Sequence, residues 1–427
     1  MKLRGGLLVL VLNFISATRK LTWNPEEVLI DAIVVHEGLD HEIDSKFACV
    51  TLDWWPNEKC DYGNCSWVGG SINNLRFDDH LLIRALKSLN GRLRVGGTLS
   101  DQVVYKMQTD TDDCSPQFTP IDTEDKHHAW TDGCISRTRL DKLLNFAAKT
   151  ETQMIFSLAA LWGGRTNTTN WRPDNSLELL NHINQQNRRH LFYGFELGNE
   201  IYGNHGHAAQ IPPDIAAQDF KLLRTILSQF KDTWKIFGTD TAMDIGWTKE
   251  FFSYGSDLVD IFTWHEYPLG SGGSSDVDAK VMDPKLTEKI IHRAETYKRK
   301  DALPKGIELW MGETGGAYGS GRNEVTNRFM SAFWYLDWLG VFSRLGYGGF
   351  CRQTLIGGNY GLLQIEKGEY FLNPDYFGAL LFTHVMKGHI VKMNSSSEIH
   401  QYATIKRDGD NNAVYFGLLG THSNLLI

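Results

Sequence analysis

From about residue 47 the chain repeats one unit: a short apolar run followed by a stretch of helical periodicity. The runs are FACVTLDWW (47–55), RLRVGG (92–97), TQMIFSLAAL (152–161), FYGFELGNE (192–200), KIFGTDTA (235–242), DIFTWHEYP (260–268), IELWMGETGG (307–316) and YGGFCRQTLI (347–356), eight in all. Several are apolar on both faces, as parallel strands covered on each side must be. Between them, Leu81, Leu82, Ala85, Leu86 and Leu89 follow helical spacing behind Asp78 as cap. Leu140, Leu143, Leu144 and Ala147 repeat the pattern behind Ser136, as do Phe220, Leu223, Leu227 and Phe230. Eight strand–helix units in series predict an α/β fold, a (β/α)8 barrel rather than an open doubly wound sheet.

Two segments break the repeat. Residues 100–136 are rich in Asp, Thr, Cys and His and read as a loop over the barrel mouth. After about residue 388 the pattern turns to strict alternation, IHQYATIKR (399–407) and NAVYFGLLG (412–420), joined by the turn Asp408-Gly409-Asp410. Some 40 residues are too few to close a sandwich alone, so residues 27–36 are candidates to join it. The expected organisation is a leader over 1–17, an N-terminal strand region over 25–46, a catalytic barrel over 47–387, and the start of a truncated C-terminal β-domain over 388–427.

The N-terminus pairs a basic start, Met1-Lys2-Leu3-Arg4, with the apolar run Leu7–Leu12 and small residues at Ser16, Ala17 and Thr18. This is the pattern of a cleaved secretory leader. It is shorter than the roughly 20 apolar residues of a membrane span. Secretion places the six cysteines in an oxidising compartment, where they allow 15 pairings. Cys60 with Cys65 and Cys114 with Cys134 are the candidate pairs; Cys49 and Cys351 remain. No second close Cys or Cys/His pair is present to complete a zinc site. Sequons at Asn64, Asn167 and Asn394 are candidate glycosylation sites. A net charge of −8 argues against nucleic acid as a partner.

Catalytic groups of a (β/α)8 enzyme sit at the C-terminal ends of the strands. Those ends carry Asp53, Thr98, Glu200, the pair His265 and Tyr267, Glu313 and Gln353. Two carboxylates facing across a barrel mouth are what glycoside hydrolysis needs: one protonates the leaving oxygen while the other attacks the anomeric carbon or activates water. That chemistry needs no metal and no organic cofactor. Asn199, just before Glu200, is placed to reach a sugar 2-hydroxyl. Glu196 lies at an even offset from Glu200, on the same face but deeper, and reads as a buried ion-pair partner. Glu266, between His265 and Tyr267, should turn outward. The Gly-rich stretch after Glu313 lets backbone N–H groups approach a substrate carboxylate, with Tyr318 adding a hydroxyl donor.

At these residues the chain resembles glycoside hydrolase family 79, the heparanase-like family, and especially its plant branch. The stretches TLDWWPNEKCDYGNCSW (51–67), RVGGTLSDQVVY (94–105), FELGNE (195–200), WHEYPLG (264–270), WMGETGGAYGSG (310–321) and RQTLIGGNYGLL (352–363) carry the resemblance, which extends over most of 47–390. It implies a barrel with a small β-sandwich built from both chain ends. It also implies retaining cleavage of β-linked glucuronic acid, with Glu200 as proton donor and Glu313 as nucleophile. Asp53, Thr98, Asn199, Tyr318, Gly319, Gln353, Gly358 and Tyr360 match family residues that contact the sugar, and His265 and Tyr267 match its His-x-Tyr. Animal heparanase follows its acid/base Glu with a Lys pair; here Ile201–His207 holds neither Lys nor Arg, which points away from sulfated chains. The expected partner is a glucuronic-acid-containing carbohydrate, met outside the cell, in the wall, at a membrane periphery or in a vacuole-like compartment, by a monomer. The rival readings are a neutral-sugar glycosidase of the same clan and a carbohydrate-binding protein without turnover.

Overall fold

A computed structural model describes residues 20–21, 30–31, 34–108, 114–121, 130–203, 206, 208–230, 234–299, 302–393, 399–408 and 411–420. Eight parallel strands close a barrel: β1 (Ala48–Asp53), β2 (Arg92–Gly96), β3 (Met154–Leu158), β4 (Phe192–Leu197), β5 (Lys235–Ala242), β6 (Ile261–His265), β7 (Glu308–Thr314) and β8 (Gly349–Arg352). Spatial order follows chain order, and β8 pairs with β1 to close the ring. A principal helix follows each strand: α1 (His80–Leu89), α2 (Arg137–Thr150), α3 (Asp174–Gln185), α4 (Pro213–Leu227), α5 (Ile245–Ser253), α6 (Pro284–Ala294), α7 (Phe329–Arg344) and α8 (Pro374–Val385). Helix starts follow capping chemistry. Ser136 accepts from the Arg139 N–H, as its position before α2 predicts. At α1 the cap is Asp79, not Asp78; its carboxylate accepts from Leu81 and Leu82.

Two apolar layers hold the barrel. The larger packs the outward faces of the strands against the helices. The smaller fills the barrel floor with Cys49, Ile155, Phe237, Ile261, Trp310 and Cys351, with Tyr193 against it. The Arg92 guanidinium lies over the Tyr193 ring at 4.1 Å and the Trp310 ring at 5.2 Å, so the plug is sealed by stacking rather than by aliphatic contact alone. Cys49 and Cys351 are directly opposed on β1 and β8 and form a disulfide, a staple across the seam where the barrel closes. Cys60–Cys65 and Cys114–Cys134 are bonded as the spacing anticipated.

The chain ends meet in one antiparallel sheet, ordered Asn411–Gly420, Ile399–Asp408, Gly388–Met393, Val34–Ile43. It docks on α7 through polar contacts. Asp337 accepts from the Tyr402 hydroxyl at 2.7 Å and pairs with His400 Nδ1 at 2.8 Å. Within 100–136, Val103–Lys106 pairs parallel with Gly133–Ser136, leading straight into α2. The leader over 1–17 lies outside the described residues. Among the described residues, no helix is long and apolar enough to cross a membrane.

Candidate active site

The mouth is organised around Arg94, wholly buried on β2. Its Nε donates to both Glu196 oxygens at 2.9 Å, one terminal nitrogen donates to Glu313 Oε2 at 2.7 Å, and the other to Asn199 Oδ1 at 2.8 Å. One planar fork therefore fixes a deep carboxylate, a strand-end carboxylate and an amide together. With Asn199 Oδ1 occupied, the amide keeps its NH2 as a donor toward the lumen. Glu196 lies at the depth that its offset predicted, bonded to the Arg94 guanidinium through both oxygens.

Glu313 lies on β7. The Tyr267 hydroxyl donates to its Oε1 at 2.5 Å while Arg94 holds the other oxygen, so both carboxylate oxygens have fixed donors. Glu200 is delivered differently. Strand β4 ends at Leu197, and the chain passes Gly198 at φ 79° and Glu200 at φ 54°, its N–H bonded to Asp240 O at 2.7 Å. A left-handed glutamate is costly backbone, held here by the loop, so strand alternation is not what carries Glu200 to the mouth. His265 Nδ1 bonds Glu200 Oε1 at 2.8 Å, and its Nε2 lies 3.5 Å from Asp240 Oδ1. Carboxylate oxygens of Glu200 and Glu313 approach within 4.8 Å. Glu266 turns away, as alternation predicted, to pair with Arg293 at 2.8 Å.

Five carboxyl groups share two cations here, and protonation adjusts accordingly. Burial pushes Glu196 up to about 8 in spite of the Arg94 charge. Burial, then the charge of Glu313, pushes Asp53 up to about 8 against the hydrogen bond from Gln353. Burial alone would lower His265, but the Glu313 charge and the bonds to Asp240 and Glu200 carry it to about 10. The atoms of Glu200, His265 and Glu313 are close enough for a metal-ligand set. The same atoms are engaged in hydrogen bonds, Glu200 with His265 and Glu313 with Tyr267 and Arg94.

The remaining candidates ring this centre. Gln353 Nε2 donates to Asp53 Oδ2 at 2.7 Å and faces the Tyr360 hydroxyl at 3.4 Å. Thr98 is half-buried and opens the short helix after β2. Before it, Gly97 is obligatory: at φ 85°, a Cβ there would lie 2.6 Å from the Asp53 carboxylate. Tyr318 is 52% exposed, its ring edge-on to Tyr267 at 6.4 Å. Gly319 follows it, and Gly358 donates its N–H to Ser66 O at 3.1 Å beside the Tyr360 ring. Of the sequons, Asn167 is exposed, Asn64 is half-buried with its Nδ2 donating to Asn359 at 2.9 Å, and Asn394 lies outside the described residues. Sequence reasoning passed over Arg94 and Asp240 as site residues. Each is a charged side chain on an inner strand, but RLRVG also holds Arg92 and KIFGTDTA also holds Lys235, so the sequence alone did not single them out.

The barrel carries Glu200 just past the fourth strand and Glu313 on the seventh, and the chain's relatives are glycoside hydrolases. The chain belongs to glycosyl hydrolase family 79: the family described as Glycosyl hydrolase family 79, N-terminal domain, matches over residues 29–340. Heparanase-like protein 3 of Arabidopsis thaliana is 35% identical over 380 residues, covering 86% of this chain and 69% of that protein. Baicalin-beta-D-glucuronidase of Scutellaria baicalensis is 33% identical, covering 84% of this chain and 71% of its own. Among solved structures, a 4-O-alpha-L-rhamnosyl-beta-D-glucuronidase from Fusarium oxysporum superposes with TM-score 0.60 at 17% identity, over 90% of this chain and 77% of that one. That last likeness concerns the fold.

Proposed function

We propose that the protein is a retaining β-glucuronidase acting on plant cell-wall or secondary-metabolite glycoconjugates. The observation that carries this reading is the pair Glu200 and Glu313, with oxygens within 4.8 Å and Glu313 gripped by Tyr267 and Arg94. Retaining enzymes hold the two carboxyls about 5–5.5 Å apart, whereas inverting ones need about 6.5–9.5 Å to admit water. The similarity to a named β-D-glucuronidase supports the sugar.

In this reading Glu313 attacks the anomeric carbon as Glu200 gives its proton to the glycosidic oxygen; the aglycone leaves and a glucuronosyl ester remains on Glu313. Glu200, now ionised, takes a proton from water, which attacks the same carbon, releases Glu313 and yields β-glucuronic acid. His265 fixes the Glu200 carboxyl, and Asn199 donates to the 2-hydroxyl. Backbone N–H groups of Gly315–Gly319 and the Tyr318 hydroxyl receive the substrate carboxylate, while Asp53, Gln353, Tyr360, Thr98 and Gly358 line the sugar. The absence of Lys and Arg from 201–207 favours unsulfated glucuronides. Secretion as a monomeric glycoprotein to the cell wall is part of the proposal. The leader-like N-terminus, three disulfides and the exposed sequon at Asn167 support it.

The test is hydrolysis of 4-nitrophenyl β-D-glucuronide and of the matching glucoside by the parent, Glu200→Gln and Glu313→Gln. Turnover of the glucuronide by the parent, lost in both variants, with first product of β configuration by NMR, is expected. Preference for the glucoside would sink the sugar assignment. Binding without turnover, unaltered by Glu200→Gln, would favour a non-catalytic lectin.

A further inference from the structure

The loop after β1 is a small closed hairpin. Cys60 and Cys65 are bonded and both exposed, and Asp61 and Asn64 exchange backbone hydrogen bonds at 3.0 and 2.9 Å. This rigid turn reaches across to the loop that follows β7. The Ser320 hydroxyl donates to the Asp61 carboxylate and accepts from the Trp67 indole N–H at 2.8 Å, while Lys59 holds Asp61 at 2.7 Å.

Tyr62, at the tip, lies against Gly319 and Gly273: a Cβ on Gly319 would stand 2.5 Å from its hydroxyl, and one on Gly273 2.6 Å from its ring. Its hydroxyl is 2.7 Å from Ser271 Oγ. Ser271 in turn pairs with Tyr318, and Gly272 N–H bonds Tyr318 O at 2.9 Å. Tyr62 therefore bridges the loops after β6 and β7, which also supply Tyr267 and follow Glu313.

What it braces is unusual backbone. Gly319, Ser320 and Gly321 run consecutively at φ 67°, 63° and 70°. Left-handed conformations persist where the surroundings over-determine them, and more so for a serine than for glycine. The stapled turn supplies that constraint from outside the loop.

We propose that Tyr62, presented by the Cys60–Cys65 staple, is a positioning residue that sets the 315–321 loop and thereby discrimination for a uronic acid over a neutral sugar. The inference rests on the glucuronidase reading for its substrate, but not for the positioning itself. Tyr62 acts through Gly319, not on the reacting atoms.

The experiment uses the full chain as parent, Tyr62→Ala, Tyr62→Phe and the double variant Cys60→Ser/Cys65→Ser. Kinetics are measured on 4-nitrophenyl β-D-glucuronide and β-D-glucoside, with amide hydrogen exchange of peptides spanning 315–322. For Tyr62→Ala we expect KM for the glucuronide to rise about tenfold with kcat within about threefold, the loss of uniform binding rather than of transition-state contacts. The glucoside is unaffected, so the preference ratio falls about tenfold. Tyr62→Phe keeps the ring against Gly273 and Gly319 but loses the hydroxyl that meets Ser271, so it falls between the parent and Tyr62→Ala; the cysteine variant follows Tyr62→Ala. Unchanged exchange over 315–322 in Tyr62→Ala and the cysteine variant overturns the proposal, as does an unchanged preference ratio in a parent that prefers the glucuronide. Faster exchange in a parent that prefers the glucoside supports the positioning role and overturns the uronate reading alone.

Discussion

Glu196→Gln should alter how stability depends on pH. In the fold Glu196 is buried beside Arg94, and burial pushes its carboxyl up to about 8. In the unfolded chain a glutamate titrates near ~4.3. Between those values the folded state keeps a proton that the unfolded state has released, so stability falls as pH rises, by about 1.4 kcal/mol per pH unit for one proton. From about pH 5.5 to about pH 7.5 this one group removes on the order of 2–3 kcal/mol. The slope depends on proton number, so it holds wherever the folded value lies above that window.

Asp53, raised to about 8, contributes in the same direction over the same window. His265, raised to about 10, contributes stability that is present below its ordinary value near ~6.5 and lost as pH climbs toward 10. The parent slope is therefore a sum, and the informative quantity is the difference. Equilibrium urea unfolding at several pH values, parent beside Glu196→Gln, should show the variant's slope shallower by about one proton. The amide still accepts from Arg94 Nε, so the network's geometry survives. Equal slopes would refute the reasoning: Glu196 would then be ionised in the fold and a full ion-pair partner of Arg94.

Three further outcomes follow from the same geometry. Tyr267→Phe removes one of the two donors that fix the Glu313 carboxylate, so kcat should fall through misplacement of the attacking oxygen, by up to roughly 100-fold, with KM little changed. Arg94→Met leaves Glu196 and Glu313 without their shared cation; a loss of about 3–5 kcal/mol should register as a lowered Tm, with turnover abolished. Cys49→Ala/Cys351→Ala opens the staple across the barrel seam, whose cysteines lie 302 residues apart, and calorimetry should show a loss of about 2–5 kcal/mol.

The barrel was legible because parallel strands covered on both faces leave a simple trace, eight apolar runs whose ends carry polar residues. Each of those runs contains one barrel strand, and the two candidate glutamates converge. What escaped was whatever depends on closure in space. Cys49 and Cys351 become neighbours only when β8 meets β1, so spacing could not pair them. Arg94 is one of two arginines in RLRVGG: Arg92 goes to the floor to stack on Tyr193, Arg94 to the mouth, and no local pattern separates them. Glu200 was placed by strand periodicity, yet two left-handed residues after β4 carry it there. Asp78 and Asp79 are equivalent by composition, and only helix phase selects the cap.

The crowding of acids at the mouth has a logic that the single residues do not reveal. Asp53, Glu196, Glu200, Asp240 and Glu313 all interact with Arg94 or His265. Fully ionised, five anions against two cations would leave three uncompensated charges where solvent is largely excluded, a cost that proteins relieve by shifting pKa values. Burial pushes Asp53 and Glu196 toward their protonated forms, which lightens the negative charge set against Arg94 and His265. In the proposed mechanism Glu200 begins protonated and Glu313 attacks as the carboxylate. When Glu313 becomes an ester it loses its charge, and Glu200, having given up its proton, gains one, so the total charge of the pair is the same before and after. The deep pair Asp53 and Glu196, held toward the protonated form by burial, stands outside that exchange. On this view replacing either by its amide should be tolerated by the chemistry, whereas ionising either at alkaline pH should not.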